Sequence, residues 1–371
     1  MRMRAAVLAA PRREFEIGEV ELEPPHADEV LVRIAATGLC GSDLNALDGK
    51  RALVPFPAVL GHEAAGVVHE IGEGVGRVDV GDHVVLSILP SCGRCAACLD
   101  GRPNHCQTAA AAMREGALLD GSSRLSARGR GLHHFLAVSS FAEWAVVPES
   151  AVTAIDPIMP LDRAALIGCG VLTGFGAVRN TARVPAGARV AVFGCGGVGL
   201  SAIQGARIAG AATIVAIDVQ PGKLSLARAL GATAVVDGQV GDVVEAVRGA
   251  TDGGVDYAFE AAGRQETIAQ AWASLAVGGQ LVIIGLLASG ASLTLDADPL
   301  LEEKRLAGCY LGSASPTRDV PELVSLYLDG RLLLDELITR RLALTELDDA
   351  FARLRAGTEA RQVVVFDGVA A

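Results

Sequence analysis

A glycine-rich turn between two apolar runs constrains the fold of this chain more than any other feature. The first run, 190–193, leads into G-x-G-x-x-G at 194–199, and small apolar residues follow. The second run, 214–217, ends in Asp218, about 20 residues beyond the glycines, as in a dinucleotide-binding βαβ unit. The turn residues expected to contact a cofactor are Gly194, Gly196, Gly197, Val198 and Gly199.

Each glycine of this turn has a physical reason. The first makes the turn, the second lets the backbone approach a pyrophosphate, and the third lets helix and strand pack closely. The unpaired N–H groups at the helix N-terminus attract phosphate. Glycines alone also occur in ordinary α/β turns, but strands on both sides and an acid at this distance favour dinucleotide binding.

The same strand–helix alternation continues from about 175 to 309 and predicts a doubly wound α/β domain. The predicted strands are 190–193, 213–217, 234–236, 255–259, 280–284 and 306–310. The predicted helices are 197–210, 221–230, 241–248 and 264–275.

The rest of the chain predicts a second, β-rich domain. Short apolar runs between Gly and Pro residues predict strands, and 107–134 has the composition of a long surface loop. The tail 311–371 is too small for a core of its own, so we expect it to pack on the N-terminal part. The predicted elements are strands 28–36, 64–71, 83–86, 140–147 and 362–366, and helices 161–167, 321–327 and 347–355.

Composition excludes several function classes. The 371 residues are 51% hydrophobic and carry a net charge of −11, which argues against nucleic-acid and anionic-membrane partners. No uninterrupted apolar segment reaches the roughly 18 residues that a membrane span needs. We therefore expect a cytoplasmic protein that acts on a small molecule.

Four cysteines lie close together in Cys92-x2-Cys95-x2-Cys98-x7-Cys106. Four thiolates in so short a segment can close a tetrahedral zinc site with no open position. Buried or disulfide-bonded cysteines are the alternative, which the regular spacing in a cytosolic chain disfavours. The spacing predicts a structural zinc.

A second possible metal site is dispersed through the sequence. Cys40, His62 and Cys169 each lie beside glycines, and the first two follow apolar runs. Each residue alone is more typical of a packed core. Together they supply three ligands and leave a fourth position open for water or substrate, as a catalytic zinc requires.

Taken together, these motifs resemble the zinc-containing medium-chain alcohol dehydrogenases over essentially the whole chain. The shared segments are 40–43, 61–63, the four-cysteine lobe, 168–170, the glycine turn and 357–361. Segments 120–124, 133–136 and 140–143 resemble the longer, dimeric branch that includes class III enzymes. The resemblance implies a GroES-like β-rich catalytic domain (1–174 and 310–371) and a Rossmann coenzyme domain (175–309).

The resemblance also implies roles for individual residues. Cys40, His62 and Cys169 would bind the catalytic zinc, which lowers the pKa of the alcohol before hydride passes to C4 of the nicotinamide. The other implied roles are proton acceptance by Ser42, a place beside the metal for Glu63, orientation of His62 by Asp43, selection of NAD over NADP by Asp218, cofactor contacts by Lys223, Ile284 and Arg361, and an apolar substrate pocket of Ile88, Phe135 and Leu136. Solvated surface charge is the alternative for Lys223 and Arg361, and ordinary core packing is the alternative for the pocket residues.

Three positions depart from the family pattern. Asn45 stands where a histidine commonly ends the proton relay, and an amide cannot take up a proton. Gly41 replaces an arginine that binds pyrophosphate. Ala110 replaces the arginine of glutathione-using relatives, and the acids expected shortly before Gly61 are missing from 53–57. Both differences disfavour a glutathione adduct as substrate, whereas Arg114 nearby leaves an adduct of another thiol possible.

The predicted function is therefore reversible oxidation of an alcohol to an aldehyde or ketone with NAD and two Zn²⁺ per chain. Dehydrogenation of an S-(hydroxymethyl)thiol is the alternative within enzymes, and a non-catalytic dinucleotide-binding protein is the alternative of another class. By analogy with dimeric relatives, we expect a homodimer in which the strand near 280–286 pairs across a two-fold axis.

Overall fold

The computed structural model describes residues 1–368 and forms two compact units. The first unit comprises Met1–Cys169 and the chain from Ser315 onward, and the second comprises Gly170–Ala314. Each junction lies five residues from the predicted one.

The strands in chain order are β1 (Arg2–Leu8), β2 (Glu16–Leu22), β3 (Glu29–Gly38), β4 (Ala58–Val59), β5 (Glu63–Ile71), β6 (His83–Leu86), β7 (Leu125–Ala127), β8 (Arg130–Gly131), β9 (His133–His134), β10 (Trp144–Pro148), β11 (Val152–Ala154), β12 (Arg189–Phe193), β13 (Thr213–Asp218), β14 (Ala234–Asp237), β15 (Val255–Glu260), β16 (Leu275–Ile283), β17 (Arg305–Gly308), β18 (Ile338–Leu342) and β19 (Arg361–Val365).

The α-helices in chain order are α1 (Gly41–Leu47), α2 (Ala96–Leu99), α3 (Gln107–Arg114), α4 (Leu161–Ala164), α5 (Gly170–Gly176), α6 (Gly197–Ile208), α7 (Pro221–Ala229), α8 (Val243–Ala250), α9 (Gln265–Ala273), α10 (Pro316–Leu328) and α11 (Leu347–Ala356).

The first unit is built on two sheets. Strand β3 is central to the larger one, β11-β6-β5-β3-β19-β18, and nine of its ten residues are buried. Such a continuous apolar strand is stable only where both faces are covered. Strand β19 returns from the C-terminal part to pair antiparallel with β3, Val363 opposite Gly38. The smaller sheet has the order β8-β7-β2-β1-β4-β9.

The second unit is a parallel sheet with the order β14-β13-β12-β15-β16-β17. This is the doubly wound arrangement, in which the strand order reverses between β12 and β15. Its core includes Phe193, Val215, Ala258 and Leu281 from four neighbouring strands. The carboxyl ends of β12 and β15 therefore flank the position where such folds bind ligands.

The prediction of a loop over 107–134 is wrong. Helix α3 occupies its first part, with Ala109 and Met113 buried in the same cluster as Cys106. Strand β7 then pairs with β2, and β9 pairs with β4. The segment has few large apolar residues, so its periodicity is weak and tertiary contacts decide its structure.

Two further expectations differ from the structure. Pro321 was expected to start a helix, but α10 begins at Pro316 and contains Pro321 in its interior. Pro316 suits the first helical turn, where the missing N–H costs nothing, whereas Pro321 removes one backbone donor from the helix interior. Residues 280–283 of β16 have hydrogen-bonded neighbours on both sides, so this part of the predicted 280–286 strand cannot pair with a second subunit, whereas β17 is an edge strand of the sheet.

Within residues 1–368, no single helix has the length and apolar composition of a membrane span. One bent pair of helical segments, Leu161–Gly168 with Gly170–Ala182, satisfies those two requirements.

Candidate active site

The three dispersed residues Cys40, His62 and Cys169 come together in the first unit. Their ligand atoms and a carboxylate oxygen of Glu63 all lie within 4.8 Å of one another, and all four residues are buried. Cys40 follows β3 and precedes α1, while His62 immediately precedes β5. Because β3 and β5 pair with Gly38 opposite Glu63, the sheet register brings these two ligands together.

A buried carboxylate orients the histidine. Asp43 accepts the backbone N–H groups of Cys40 (3.1 Å) and Gly61 (3.0 Å), and its Oδ1 lies 3.2 Å from Nδ1 of His62. Nδ1 therefore carries the proton, and Nε2 presents its lone pair to the cluster. Nε2 is buried and has no hydrogen-bond partner within residues 1–368, as expected of a metal ligand.

The charges around the cluster favour a thiolate. The hydrogen bond with Cys169 lowers the pKa of Cys40 well below its ordinary value, against the opposing effect of burial. Burial alone would lower the pKa of His62, but the charges of Asp43 and Cys40 raise it to about 10. Without a metal the thiolate and the imidazolium form an ion pair, and a bound metal would displace the proton from Nε2, because metal ligands must be deprotonated.

Arg361 forms a buried ion pair with Glu63 at the edge of this cluster. The arginine side chain is only 6% exposed, so the alternative of a solvated surface charge is wrong for Arg361. Gly38 makes room for the pair, because a Cβ there would lie 2.7 Å from Glu63 Oε2. Burial lowers the pKa of the Arg361 guanidinium.

The four lobe cysteines form a second cluster. Their sulfur atoms lie within 4.8 Å of one another, and none is in a disulfide. Backbone N–H groups of Cys92 (3.3 Å) and Ala109 (3.5 Å) donate to Cys106 Sγ, which caps α3. A hydrogen bond from Thr108 lowers the pKa of Cys92 to about 6, whereas burial and the neighbouring Cys95 raise that of Cys98 to about 12.

Both donor sets fit zinc. Four sulfurs match a closed structural site, and two sulfurs with one imidazole match a site that keeps an open position. The residues that would hold the metal are Cys92, Cys95, Cys98 and Cys106 in the lobe, and Cys40, His62 and Cys169 in the dispersed cluster.

The other residues predicted for substrate lie in the same unit. Ser42 is half-buried on the first turn of α1, with its hydroxyl oxygen 4.0 Å from Cys40 Sγ. The Phe135 ring is fully buried and meets the His62 ring edge-on at 5.5 Å. Ile88 is also buried, and Leu136 is half-buried with a left-handed backbone (φ 52°).

The glycine turn lies in the second unit, at the carboxyl end of β12. Gly194 has φ 95°, and a Cβ on Gly199 would collide with the Gly194 carbonyl, so both positions require glycine. Both carboxylate oxygens of Asp218 are fixed by backbone N–H groups, from Cys195 (2.7 Å) and Gln220 (2.9 Å). The carboxylate keeps further lone pairs for a ligand.

The remaining predicted cofactor residues also lie at this side of the sheet. Lys223 is half-buried in the first turn of α7. Ile284 follows β16 and donates its backbone N–H to the Glu260 carbonyl at 2.8 Å. The Glu260 side chain, which the sequence did not single out, accepts the N–H groups of Ala262 (2.9 Å) and Gly263 (2.8 Å). An acid at the end of an apolar strand, before glycine, is the signal that could have revealed it.

Comparisons with known proteins agree with this geometry. A model of the zinc-binding dehydrogenase family matches residues 197–329, and a model of the alcohol dehydrogenase GroES-like domain matches 26–157. These matches confirm the predicted fold class.

Several solved structures are similar over the whole chain. An alcohol dehydrogenase zinc-binding domain protein from Burkholderia ambifaria is 39% identical with a TM-score of 0.95, covering 99% of this chain and 100% of that one. Benzyl alcohol dehydrogenase from Acinetobacter calcoaceticus is 35% identical with a TM-score of 0.94, covering 99% of each chain. A zinc-binding dehydrogenase from Sinorhizobium meliloti 1021, solved with NADP, is 31% identical with a TM-score of 0.84, covering 99% of this chain and 100% of that one.

Proposed function

The chain belongs to the zinc-containing medium-chain alcohol dehydrogenase family of oxidoreductases, and from that premise we propose that it oxidises an alcohol reversibly with NAD as hydride acceptor. The observation that carries the proposal is the buried cluster of Cys40, His62 and Cys169, in which His62 Nε2 has no partner among residues 1–368. A protein that only bound dinucleotide would have no use for this donor set.

The chain's own side chains have distinct tasks in this reaction. Cys40, His62 and Cys169 would hold zinc, which when bound lowers the pKa of a substrate alcohol. Ser42, with its hydroxyl 4.0 Å from Cys40 Sγ, would take the alcohol proton. Asp43 would keep His62 in the tautomer that leaves Nε2 unprotonated.

The proton leaves this enzyme by a different route from that of relatives with a histidine relay. Asn45 is half-buried on α1, three residues after Ser42, and its amide cannot accept a proton. We propose that the proton passes from Ser42 to water. Introducing a histidine by Asn45→His should then change the pH–rate profile, and an unchanged profile would contradict this route.

NAD rather than NADP is the proposed cofactor, although one relative was solved with NADP. The support is Asp218, whose negative charge at the end of β13 would accept ribose hydroxyls and repel a 2′-phosphate. Initial rates with the two cofactors test this directly. Equal kcat/KM with NAD and NADP would overturn the role of Asp218.

The proposed substrate is an alcohol with an apolar, preferably aromatic, substituent. A relative 35% identical to this chain is a benzyl alcohol dehydrogenase, and Ile88, Phe135 and Leu136 offer apolar surface in the unit that contains the cluster. A panel of primary, secondary and aromatic alcohols, each with and without added thiol, tests the proposal. Turnover of formaldehyde only in the presence of a thiol would favour the S-(hydroxymethyl)thiol alternative.

Metal content separates catalysis from cofactor binding alone. We expect two zinc ions per chain by elemental analysis. One zinc, held by the lobe only, would favour a dinucleotide-binding protein without turnover and would contradict the proposed reaction.

We also propose that the protein is a homodimer that uses the edge strand β17. Its support is the exposure of Leu301 (90%), Leu300 (57%) and Leu306 (43%) on and beside that strand. Light scattering should give twice the chain mass for the native protein and the chain mass for L301E/L306K. A native monomer would contradict this assembly.

A further inference from the structure

A polar cavity in the first unit is separate from both metal clusters. Its volume is about 350 Å³, near the lower end of the range for small-molecule sites. The side chains that give it chemical character are Arg4, Arg33, Glu143, Trp144, Thr345 and Phe366. None of them belongs to the proposed catalytic machinery.

Arg33 is an unusual residue for its position. It lies in the middle of β3, where the nine remaining residues are all buried and most of them are apolar. Its guanidinium lies over the Trp144 ring, 5.7 Å from the centroid, and Trp144 is its direct cross-strand partner. No carboxylate pairs with Arg33 within residues 1–368, although the protein carries an excess of acids. A half-buried guanidinium that pairs with no carboxylate of the described residues is suited to an external anion.

Arg4 supplies a second guanidinium to the same cavity, and its side chain also has no ion-pair partner in the described part of the chain. Its backbone N–H donates to Glu143 Oε2 at 2.8 Å, which occupies one oxygen of that acid. The other acid of the lining, Asp367, is exposed. Because the lining also contains two acids, neither of which forms an ion pair with the arginines, the cavity does not suit a polyanion such as pyrophosphate.

We propose that this cavity binds a small aromatic carboxylate. The carboxylate would take a bidentate contact from Arg33 with help from Arg4, since guanidinium matches carboxylate geometry. The flat ring would lie against the Trp144 and Phe366 side chains, which supply aromatic surface in the lining. The site requires neither bound zinc nor NAD.

Benzoate is the probe, and calorimetry on the zinc-loaded protein is the measurement. We expect saturable binding of benzoate, at least tenfold weaker binding of the neutral isostere benzamide, and quenching of tryptophan fluorescence. The chain has two tryptophans, so Trp144→Phe should abolish the quenching while Trp272 remains. Equal binding of benzoate and benzamide would overturn the proposal.

Arginine variants localise the site. Arg33→Met keeps an apolar stem but removes the charge, and should weaken benzoate at least tenfold. Arg4→Gln is the second variant. Because the Arg4 side chain is exposed, this substitution cannot disturb the core. Arg130→Gln, an exposed arginine on β8 outside the lining, is the matched control and should bind normally. Benzoate binding that survives both cavity variants and competes with alcohol would belong to the catalytic centre and contradict the proposal.

Discussion

The two sulfur clusters of the first unit are built in opposite ways. The lobe cluster takes all its ligands from residues 92–106, and three of its four cysteines are partly exposed. The dispersed cluster takes Cys40, His62 and Cys169 from three distant segments, and all are buried. The lobe forms wherever its short segment folds, whereas the dispersed cluster exists only once β3, β5 and the turn before Cys169 are in place.

The supporting contacts differ in the same way. Cys106 receives N–H groups from its own segment, from Cys92 and Ala109. His62 depends on Asp43, and Glu63 depends on Arg361, which lies in β19 near the other end of the chain. Local hydrogen bonds suit a site that holds a fold together, and long-range contacts suit one whose geometry must be set by the whole unit.

Cys169→Ala should have the largest effect on catalysis. It removes one of three ligands from the open site, so we expect zinc to fall from two ions to one per chain and kcat/KM to fall by more than about a hundredfold. Elemental analysis and steady-state kinetics measure the two effects. Cys309→Ala, which lies outside both clusters, is the control and should keep both zinc ions.

Cys95→Ser should lower the stability of the fold more than it lowers catalytic activity. The substitution removes one ligand of the lobe cluster. We expect the free energy of unfolding to fall by several kcal/mol and the unfolding temperature to fall by about 5–10 °C. Calorimetry measures the change, with zinc analysis showing that the dispersed cluster keeps its ion. A stable variant that loses activity completely would show that the two clusters do not have separate roles.

Asp43→Asn tests whether the dispersed cluster depends on its buried carboxylate. Without it His62 loses the acceptor that fixes its tautomer, so zinc affinity should fall about 10- to 100-fold. Competition with a chelator measures the affinity. Asp48→Asn on the end of the same helix is the control, because Asp48 pairs with Lys50 and Arg355 and should leave zinc affinity unchanged.

A second buried histidine in the same unit sharpens the comparison with His62. Burial, together with the positive charge of nearby Arg124, lowers the pKa of His134 to about 3, whereas Asp43 raises that of His62. A histidine that is harder to protonate when folded stabilises the fold fully above pH 6.5 and loses that contribution as pH falls towards 3.

His134→Gln should therefore flatten the acid side of the stability profile. At pH 5, protonation of His134 on unfolding should lower the free energy of unfolding of the native protein by about 2 kcal/mol, and the variant should lack this decrease. Thermal unfolding between pH 7 and pH 5 measures the difference. His133→Gln, at the half-buried neighbour, should retain the native pH dependence. A native-like slope in His134→Gln would show that His134 is not the group responsible.

The four-cysteine lobe and the doubly wound unit were predictable because each depends on a pattern of residues that are close together in the sequence. Cysteine spacing reports a local loop, and strand–glycine–helix order reports a βαβ unit. The helix at 107–114 was missed because Met113 is the only large apolar residue among its eight residues. Its buried side, Ala109 and Met113, is defined by the lobe cysteines that it packs against.

The sequence by itself determined the fold class and the four-cysteine lobe, since these follow from residue type, spacing and periodicity, whereas the dispersed ligands were predicted through the resemblance to a known family. Only the tertiary structure decided that Arg361 turns inward to Glu63, that β17 rather than β16 is an edge strand, and that Arg33 pairs with no carboxylate among residues 1–368. Ion pairing, burial and sheet order depend on which distant segments become neighbours, and spacing along a chain does not encode that.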